Sequence, residues 1–202
     1  MGSRNSDRTG RAPLRNSAAE GLKIVIVGGF GVGKTTMVRS VSEIRPLTTE
    51  ETMTQASVGV DQNPGVADKV TTTVAFDFGR ISLNEEMVLY LFGAPGQERF
   101  WFLWDRLFAG ALGAVVLVDM RRLEDSWHAI DLLENRGIPF IVARNSFPGP
   151  RHGLDEVRQA LTLSEGVPLI GCDARDRQSS KQVLIALVSH VYALSSVLGA
   201  TS

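Results

Sequence analysis

Short apolar runs alternate along this chain with stretches whose apolar positions recur every three or four residues. Residues 22–27 and 114–118 are mostly apolar and rich in valine and isoleucine. Runs of this length are typical of strands that a sheet buries on both faces. Further strands are predicted over residues 71–78, 87–92, 139–143 and 168–171, and helices over residues 34–43, 100–109, 123–136, 153–163 and 179–198.

This alternation of strands and helices predicts an α/β fold with a mostly parallel sheet. The strands at 71–78 and 87–92 differ from the others, because only residues 79–86 separate them, and they predict an antiparallel edge hairpin. We therefore expect a three-layer sandwich in which helices cover both faces of a mostly parallel six-stranded sheet.

Two segments do not follow this alternation. Residues 1–20 lack apolar periodicity and carry four arginines, which predicts a disordered, mildly basic tail ahead of one domain at 21–202. The first six residues fit a myristoylation pattern, which we interpret as accidental. Residues 45–69 are polar and threonine-rich, and a loop of that length is usually functional or mobile.

Composition and charge restrict the cellular setting more than the fold. The 202 residues are 44% hydrophobic and 21% charged, which fits one globular domain. A net charge of −1 gives no reason to expect nucleic-acid binding, and the single cysteine, Cys172, excludes a disulfide framework. No apolar run approaches the ~18 residues of a membrane span, so we expect a soluble, cytoplasmic protein.

The most specific signal is a glycine-rich turn between the first strand and the first helix. Residues 28–35 read Gly-Gly-Phe-Gly-Val-Gly-Lys-Thr and fit the phosphate-binding pattern G-x-x-x-x-G-K-[ST]. Glycines let successive backbone N–H groups turn toward phosphate oxygens, and the helix that follows offers its positive end to the same anion. We expect Lys34 to reach the β- and γ-phosphates and Thr35 to bind Mg²⁺. The predicted phosphate-binding set is Gly28, Gly31, Val32, Gly33, Lys34, Thr35 and Thr36.

Later landmarks resemble the Ras-like small GTPases over about residues 21–195. Residues 93–98 (Gly-Ala-Pro-Gly-Gln-Glu) are similar to the D-x-x-G-Q-E switch segment, and residues 71–73 are three threonines where those proteins place a switch threonine. Asn145 stands where they have the guanine-reading N-K-x-D, and residues 173–175 (Asp-Ala-Arg) stand where they have S-A-K. The resemblance implies the P-loop nucleoside triphosphatase fold, with GTP or GDP and Mg²⁺ as ligands.

Two groups within that superfamily share further runs with this chain. Residues 73–79 and 95–97 resemble the bacterial MglA-like gliding proteins, and residues 28–39, 92–104 and 172–175 resemble the actinomycete conservon GTPases of the CvnD type. This resemblance implies a Roadblock-type regulator and a sensor-kinase-like protein as partners in a membrane-associated signalling unit.

The resemblance also assigns residue roles. Thr73 would sense the γ-phosphate and Mg²⁺, with Thr72 as the alternative because three consecutive threonines leave the register open. Gly96 would donate a backbone N–H to the γ-phosphate, and Gln97 would orient the attacking water, which makes Gln97 and Thr73 the predicted catalytic residues. The predicted residues at the base are Asn145, Asp173, Ala174 and Arg175.

One departure from the Ras-like pattern affects the metal. Gly93 replaces the aspartate of the switch segment, which removes a contact to an Mg²⁺-bound water and predicts weaker metal binding. Asp77 and Asp119 are the carboxylates that could compensate, although a structural role is the more common one for residues at a strand end or turn.

A second departure affects the base. Ser146 and Pro148 replace the lysine and the base-reading aspartate of N-K-x-D, and a proline side chain cannot accept the hydrogen bonds of guanine. Guanine selectivity would then be reduced and would rest on Asn145 as a tether of the loop and on the Ala174 N–H at guanine O6.

An aromatic cluster follows Gln97 directly. Residues 100–104 read Phe-Trp-Phe-Leu-Trp and cannot all face inward on one helix, so we expect exposed rings and a partner surface, with a core helix as the alternative. Arg99 and Arg106 flank the cluster as candidate charge-stabilising arginines, although exposure without a catalytic role is the usual state of arginine.

Three functions stay open at this point. The first is a GTPase switch with slow intrinsic hydrolysis, accelerated by a partner. The second is a guanine-nucleotide scaffold that does not hydrolyse, which Gly93 and Pro148 favour. The third is an ATP-binding P-loop protein, which the lost aspartate favours.

Overall fold

A β-sheet runs through the part of the protein that the structure describes. The structure, a computed structural model, describes residues 20–45, 47–54, 71–150 and 152–199, with side chains for 21–45, 76–150 and 152–196. Within these residues seven strands pair in the order β2-β3-β4-β1-β5-β6-β7. Their bounds are β1 Glu20–Val27, β2 Leu47–Thr54, β3 Thr71–Ser82, β4 Met87–Gly93, β5 Gly113–Val118, β6 Phe140–Asn145 and β7 Leu169–Cys172.

The pairing confirms the predicted fold class and adds one strand to it. From β4 through β1, β5 and β6 to β7 every pairing is parallel, whereas β3 pairs antiparallel with β4 across the predicted hairpin. The added strand is β2, which pairs antiparallel with β3 inside the stretch expected to be a loop. Its threonine-rich sequence lacks an apolar alternation, but β-branched threonine suits the extended backbone of an edge strand.

In the described part of the chain, five α-helices alternate with the strands or follow the last of them. They are α1 Lys34–Val41, α2 Trp104–Phe108, α3 Trp127–Asn135, α4 Leu154–Ala160 and α5 Arg177–Gly199. Two 3₁₀ helices, Glu98–Leu103 and Met120–Ser126, lead directly into α2 and α3. The helices predicted at 100–109 and 123–136 are therefore each divided into a 3₁₀ and an α segment. Among the helices of the described ranges, none has both the length and the apolar character needed to cross a membrane.

Alternate residues of the central strands build two cores. Ile24 and Ile26 of β1 pack in one buried cluster with residues of α1 and α5. Val25 and Val27 face the opposite side, in a second buried cluster with residues of α2, α3 and α4. Because side chains alternate across a strand, one apolar run supplies both faces of the sheet, and the result is the predicted three-layer sandwich.

The parallel strands also determine where the loops meet. The loops after β1, β4, β5, β6 and β7 all leave the carboxyl edge of the sheet. Crevices outside this edge are where open α/β sheets bind ligands. Residues 1–19, with the predicted tail and the myristoylation pattern, and residues 55–69 of the predicted loop lie outside the described residues, whereas Glu20 begins β1.

The aromatic cluster is divided between core and surface. Trp104 is 2% exposed and its Nε1 donates a hydrogen bond to the Pro95 carbonyl at 3.1 Å. Trp101 is half-buried and stacks on His128 with ring centroids 3.5 Å apart. Phe102 is 56% exposed. The expectation that some rings are exposed is confirmed for Phe102, while Trp104 is a core residue.

We expect Trp104→Ala to lower the free energy of unfolding by about 3–5 kcal/mol, because it empties a large buried site and leaves the Pro95 carbonyl without its donor. Phe102→Ala is the matched control and should change stability by no more than about 0.5 kcal/mol, since its ring is exposed. Urea unfolding of both variants measures the difference, and equal losses would contradict this division of the cluster.

Candidate functional site

A cavity of about 560 Å³ opens at the carboxyl edge of the sheet. It is bounded by the glycine-rich turn, the start of α1, the middle of β3 and the loop after β4. Its lining residues are Phe30, Gly31, Gly33, Lys34, Thr35, Thr36, Arg39, Asp77, Ala94, Pro95, Gly96, Gln97, Arg99 and Phe100. The structure thus brings the predicted phosphate loop together with Gly96 and Gln97.

The glycine-rich turn has the backbone that its sequence predicts. Gly28 and Gly33 have φ values of 134° and 108°, in the region that favours glycine. Gly33 precedes Lys34, where α1 begins. A Cβ at Gly33 would also lie 2.5 Å from Asn145 Nδ2, so both conformation and space require glycine there.

Lys34 is enclosed by the turn that it follows. Its Nζ donates hydrogen bonds to the carbonyls of Gly28 at 2.8 Å and Gly29 at 2.7 Å, and the residue is 8% exposed. Burial lowers the pKa of Lys34 to about 8; Arg122 adds to this lowering, and the carboxylates of Asp77 and Asp125 oppose it. The cavity therefore contains a buried cation whose charge an anionic ligand would stabilise.

Asp77 of β3 is the carboxylate that lies beside the start of α1. Its Oδ2 accepts a hydrogen bond from Thr35 Oγ1 at 2.5 Å. Asp77 of β3 pairs with Gly93 of β4, and a Cβ at Gly93 would lie 2.9 Å from Asp77 Cβ and 3.1 Å from Asp77 Oδ2. The carboxylate of β3 thus lies where a side chain from position 93 would project.

Asp119, the other carboxylate that could compensate for the aspartate missing at position 93, is bonded to Arg121. Its carboxylate accepts hydrogen bonds from the Arg121 backbone and guanidinium, with the shortest contact at 2.7 Å. The Arg121 hydrogen bond lowers the pKa of Asp119. Of the two carboxylates considered from the sequence, Asp77 is the one that contacts Thr35.

Asn145 joins three loops at the base side of the turn. Its Nδ2 donates to the Val32 carbonyl at 2.9 Å, and its Oδ1 accepts from the backbone N–H groups of Ala174 at 2.9 Å and Ser146 at 3.0 Å. This geometry gives Asn145 the tethering position that the sequence predicts. It also occupies the Ala174 N–H, the group predicted to meet guanine O6.

The loop after β7 is held by its own side chains. Asp173 accepts from the Arg175 backbone at 3.0 Å and pairs with the Arg175 guanidinium at 2.8 Å. The Asp173 N–H in turn donates to Ser179 Oγ at 2.9 Å. The predicted base residues 173–175 therefore lie beside Asn145, but their backbone donors already bond within the protein.

A second cavity, of about 330 Å³, lies on the other side of Asn145 and includes Pro148. The Arg121 guanidinium covers the Phe147 ring there, 4.1 Å from its centroid. Pro148 lines this cavity at the position where the Ras-like pattern has its base-reading aspartate, so no carboxylate is present at that position.

The remaining predicted site residues have mixed outcomes. Thr72 and Thr73 lie in β3, opposite Met53 and Thr52, but their side chains fall outside the described ones, so the switch role of Thr73 stays a prediction. Arg106 is exposed, whereas the guanidinium of Arg99 lies 4.7 Å from the Phe100 ring centroid at the cavity wall.

Sequence reasoning missed the segment after β5. Arg122 Nη2 donates a hydrogen bond to the Phe30 carbonyl of the phosphate loop, and Arg122 pairs with Asp125 at 3.6 Å. The available signal was the pair Arg121 and Arg122, shortly after the buried strand β5 ends at Val118. Helical periodicity alone does not show that one of them turns back to the loop after β1.

A family model matches most of the chain. Residues 26–194 match a family described as conserved hypothetical ATP binding proteins. The chain belongs to this family. An uncharacterized protein of Methanocaldococcus jannaschii is 26% identical over 121 residues, which cover 59% of this chain and 66% of that protein.

Solved structures with a similar fold are FeoB G domains. The G domain of FeoB from Methanococcus jannaschii has a TM-score of 0.55 at 15% identity, with 86% of this chain and 99% of that chain covered. The G domain of the T. maritima FeoB iron transporter has a TM-score of 0.59 at 16% identity, with 85% and 99% covered. An S. thermophilus NFeoB mutant bound to GDP has a TM-score of 0.56 at 21% identity, with 82% and 61% covered.

Family and fold together identify a nucleotide-binding P-loop protein with the fold of GTPase G domains. The family description names ATP, whereas the solved relatives of the fold are G domains.

The buried lysine makes ligand affinity depend on pH. In the ligand-free protein the pKa of Lys34 is about 8. A bound polyanion would raise this pKa, so binding above pH 8 would require uptake of a proton. We expect affinity for GDP or ADP to fall by about tenfold between pH 7 and pH 9. Isothermal titration measures it, with Lys34→Met as control. Binding by the variant should be weak and nearly independent of pH over this range, and an equally steep profile would contradict the assignment.

Proposed function

We propose that this protein is a nucleotide-dependent switch that binds GTP or GDP with Mg²⁺ and hydrolyses GTP slowly. The observation that supports this most is the buried Lys34 ammonium, held by carbonyls of the glycine-rich turn at the floor of the cavity. An ammonium has three donors, and these carbonyls use two of them. A phosphate group would neutralise this charge and accept hydrogen bonds from the surrounding backbone.

The residues beside Lys34 fit a magnesium ion. Thr35 and Asp77 offer a hydroxyl and a carboxylate oxygen, the ligand type that Mg²⁺ prefers. Among the described residues, no cluster of three or more histidine, cysteine or acidic side chains could hold a metal ion. When bound, Mg²⁺ would neutralise charge on the phosphates. Asp77 would then take the role of the aspartate that Gly93 replaces.

Gly96 and Gln97 would act at the terminal phosphate. Both line the cavity with Lys34, and a Cβ at Gly96 would lie 2.6 Å from Lys34 Nζ, so the backbone of this loop approaches the cation closely. The Gly96 N–H would bond the γ-phosphate and the Gln97 amide would orient water. Positioning of this kind is most of what a protein contributes to phosphoryl transfer.

Guanine is the preferred base in this proposal because Asn145 tethers the loops after β1, β6 and β7 as the Ras-like resemblance implies. Adenine is the second candidate. It is favoured by Pro148 at the base-reading position, by the loop N–H groups that are already bonded, and by the description of the family.

The resemblance to conservon and MglA-like proteins supports two further parts of the proposal. One is a bacterial signalling module, peripheral to the membrane through its partners, with a Roadblock-type regulator and a sensor-kinase-like protein. The other is acceleration of hydrolysis by such a partner. A scaffold that holds nucleotide without turnover is the alternative, and Gly93 is the feature that favours it.

Quantitative binding tests ligand and base together. We expect GDP and GTP to bind more tightly than ADP and ATP, with Mg²⁺ strengthening triphosphate binding. Lys34→Ala should reduce affinity by at least about 100-fold, because a charge-assisted contact to a polyanion is lost. Tighter binding of ATP would replace guanine by adenine, and failure of every nucleotide to bind would refute the proposal.

Hydrolysis should depend on Gln97. We expect single-turnover hydrolysis by the isolated wild-type chain over minutes or longer, and Gln97→Leu should slow it by at least about tenfold without weakening GDP binding, because the attacking water loses its orienting group. Glu98→Gln, an exposed neighbour, is the matched control. A wild-type chain that binds GTP but never cleaves it would support the scaffold alternative.

A further inference from the structure

The 3₁₀ helix after β5 packs directly on the phosphate loop. A Cβ at Gly29 would lie 2.6 Å from Asp125 Cβ, and a Cβ at Gly31 would lie 3.6 Å from Arg122 Nη2. The absence of a side chain at Gly29 therefore lets this segment approach the turn, and the Arg122 guanidinium lies within ordinary contact distance of Gly31. Its charged residues Arg122 and Asp125 thus lie against the turn that encloses Lys34.

Arg122 is the cation that this approach brings to the loop. It interrupts the Met120–Ser126 helix with φ −149° and ψ 61°, and its Nη2 donates to the Phe30 carbonyl. Phe30 itself lines the phosphate cavity. The charge of Arg122 also contributes to the lowered pKa of Lys34, so the two cations act on the same region.

We propose that Arg122 is a catalytic arginine supplied by the chain itself, which moves from the Phe30 carbonyl to the nucleotide phosphates during hydrolysis. This inference rests on the proposed function. In the reaction the water oxygen forms a bond to the γ-phosphorus, and the bond from that phosphorus to the β–γ bridging oxygen breaks. Both protons of the water leave with inorganic phosphate, and the bridging oxygen keeps the electron pair as part of the nucleoside diphosphate. A guanidinium beside these oxygens stabilises the charge that develops on them.

The contacts of Arg122 hold its guanidinium only weakly in the position that the structure shows. The guanidinium is paired with Asp125 at 3.6 Å and bonded to Phe30, and its side chain is 46% exposed. These contacts hold it beside the glycine-rich turn in a half-exposed ion pair, an interaction of small energy. Hydrolysis then requires the guanidinium to leave Phe30, and a partner that favours that step would accelerate the reaction.

Arg99 is the competing arginine. It lines the cavity, but its guanidinium lies over the Phe100 ring at 4.7 Å. Arg122 differs because it bonds the phosphate loop itself. The experiment therefore compares variants at both positions.

Single-turnover hydrolysis of Mg-GTP and Mg-ATP by the full chain tests the proposal, using whichever nucleotide the wild type cleaves faster. We expect Arg122→Ala to slow cleavage by at least about 100-fold and Arg122→Lys by about tenfold or more, because an ammonium replaces the guanidinium fork. GDP or ADP affinity should change less than about threefold, since the charge is needed in the transition state. Arg136→Ala, which removes an equal charge from an exposed pair with Asp105, is the control and should leave the rate unchanged.

Binding of aluminium fluoride with the nucleoside diphosphate gives a second readout. The wild type should form this transition-state mimic, and both Arg122 variants should form it at least tenfold more weakly while melting within a few degrees of the wild type. Rates within twofold of wild type for Arg122→Ala, or a loss confined to Arg99→Ala, would overturn the inference. So would equal losses of diphosphate affinity and rate, which a structural clamp on Phe30 predicts.

Failure of this inference is distinguishable from failure of the proposed function. A wild-type chain that binds and cleaves nucleotide independently of Arg122 refutes only the role of this arginine. A wild-type chain that binds but does not cleave refutes it too and leaves a scaffold, and one that binds no nucleotide refutes both proposals.

Discussion

A buried ammonium inside a glycine turn is the constraint on which this site depends. Lys34 is almost completely enclosed, and lowering its pKa from 10.5 to about 8 corresponds to a cost on the order of 3 kcal/mol for the charged form. Stability should therefore rise as the pH increases from about 8 toward 10.5, where the unfolded chain still binds the proton that the folded chain has lost. The Gly28 and Gly29 carbonyls stabilise the ammonium by accepting its hydrogen bonds, and an anion in the cavity would stabilise it further.

The proposed magnesium site depends on which strand carries the carboxylate. In β4 the position next to the cavity is Gly93, and the antiparallel register places Asp77 of β3 beside it. Because β3 and β4 are neighbours, a carboxylate can reach Thr35 from either strand while the helix and the turn stay unchanged. The glycine and the aspartate are therefore best understood as one feature, since a side chain at position 93 would collide with Asp77.

The elements with strong local signals were predictable from the sequence. The apolar run of β1, the glycine pattern and the start of α1 at Lys34 agree with the structure, because each follows from backbone chemistry within a few residues. β2 was missed because an edge strand needs no apolar alternation. The contact of Asp77 with Thr35 depends on strand register, and that of Arg122 with Phe30 depends on the packing of one loop on another, so neither has a local pattern. Asn145 makes loop contacts of the kind expected of a tether, but its bond to Ala174 could not be seen in the sequence.

The claim that Asp77 of β3 replaces an aspartate at position 93 of β4 is tested most directly by returning the carboxylate to β4. Binding of a non-hydrolysable GTP analogue would be measured with and without Mg²⁺ for the wild type, for Asp77→Gly, and for Asp77→Gly combined with Gly93→Asp, after melting curves establish that all three fold. The account predicts that Asp77→Gly loses most of the Mg²⁺ enhancement and that the double variant recovers at least half of it. Full Mg²⁺ enhancement in Asp77→Gly alone would contradict the account.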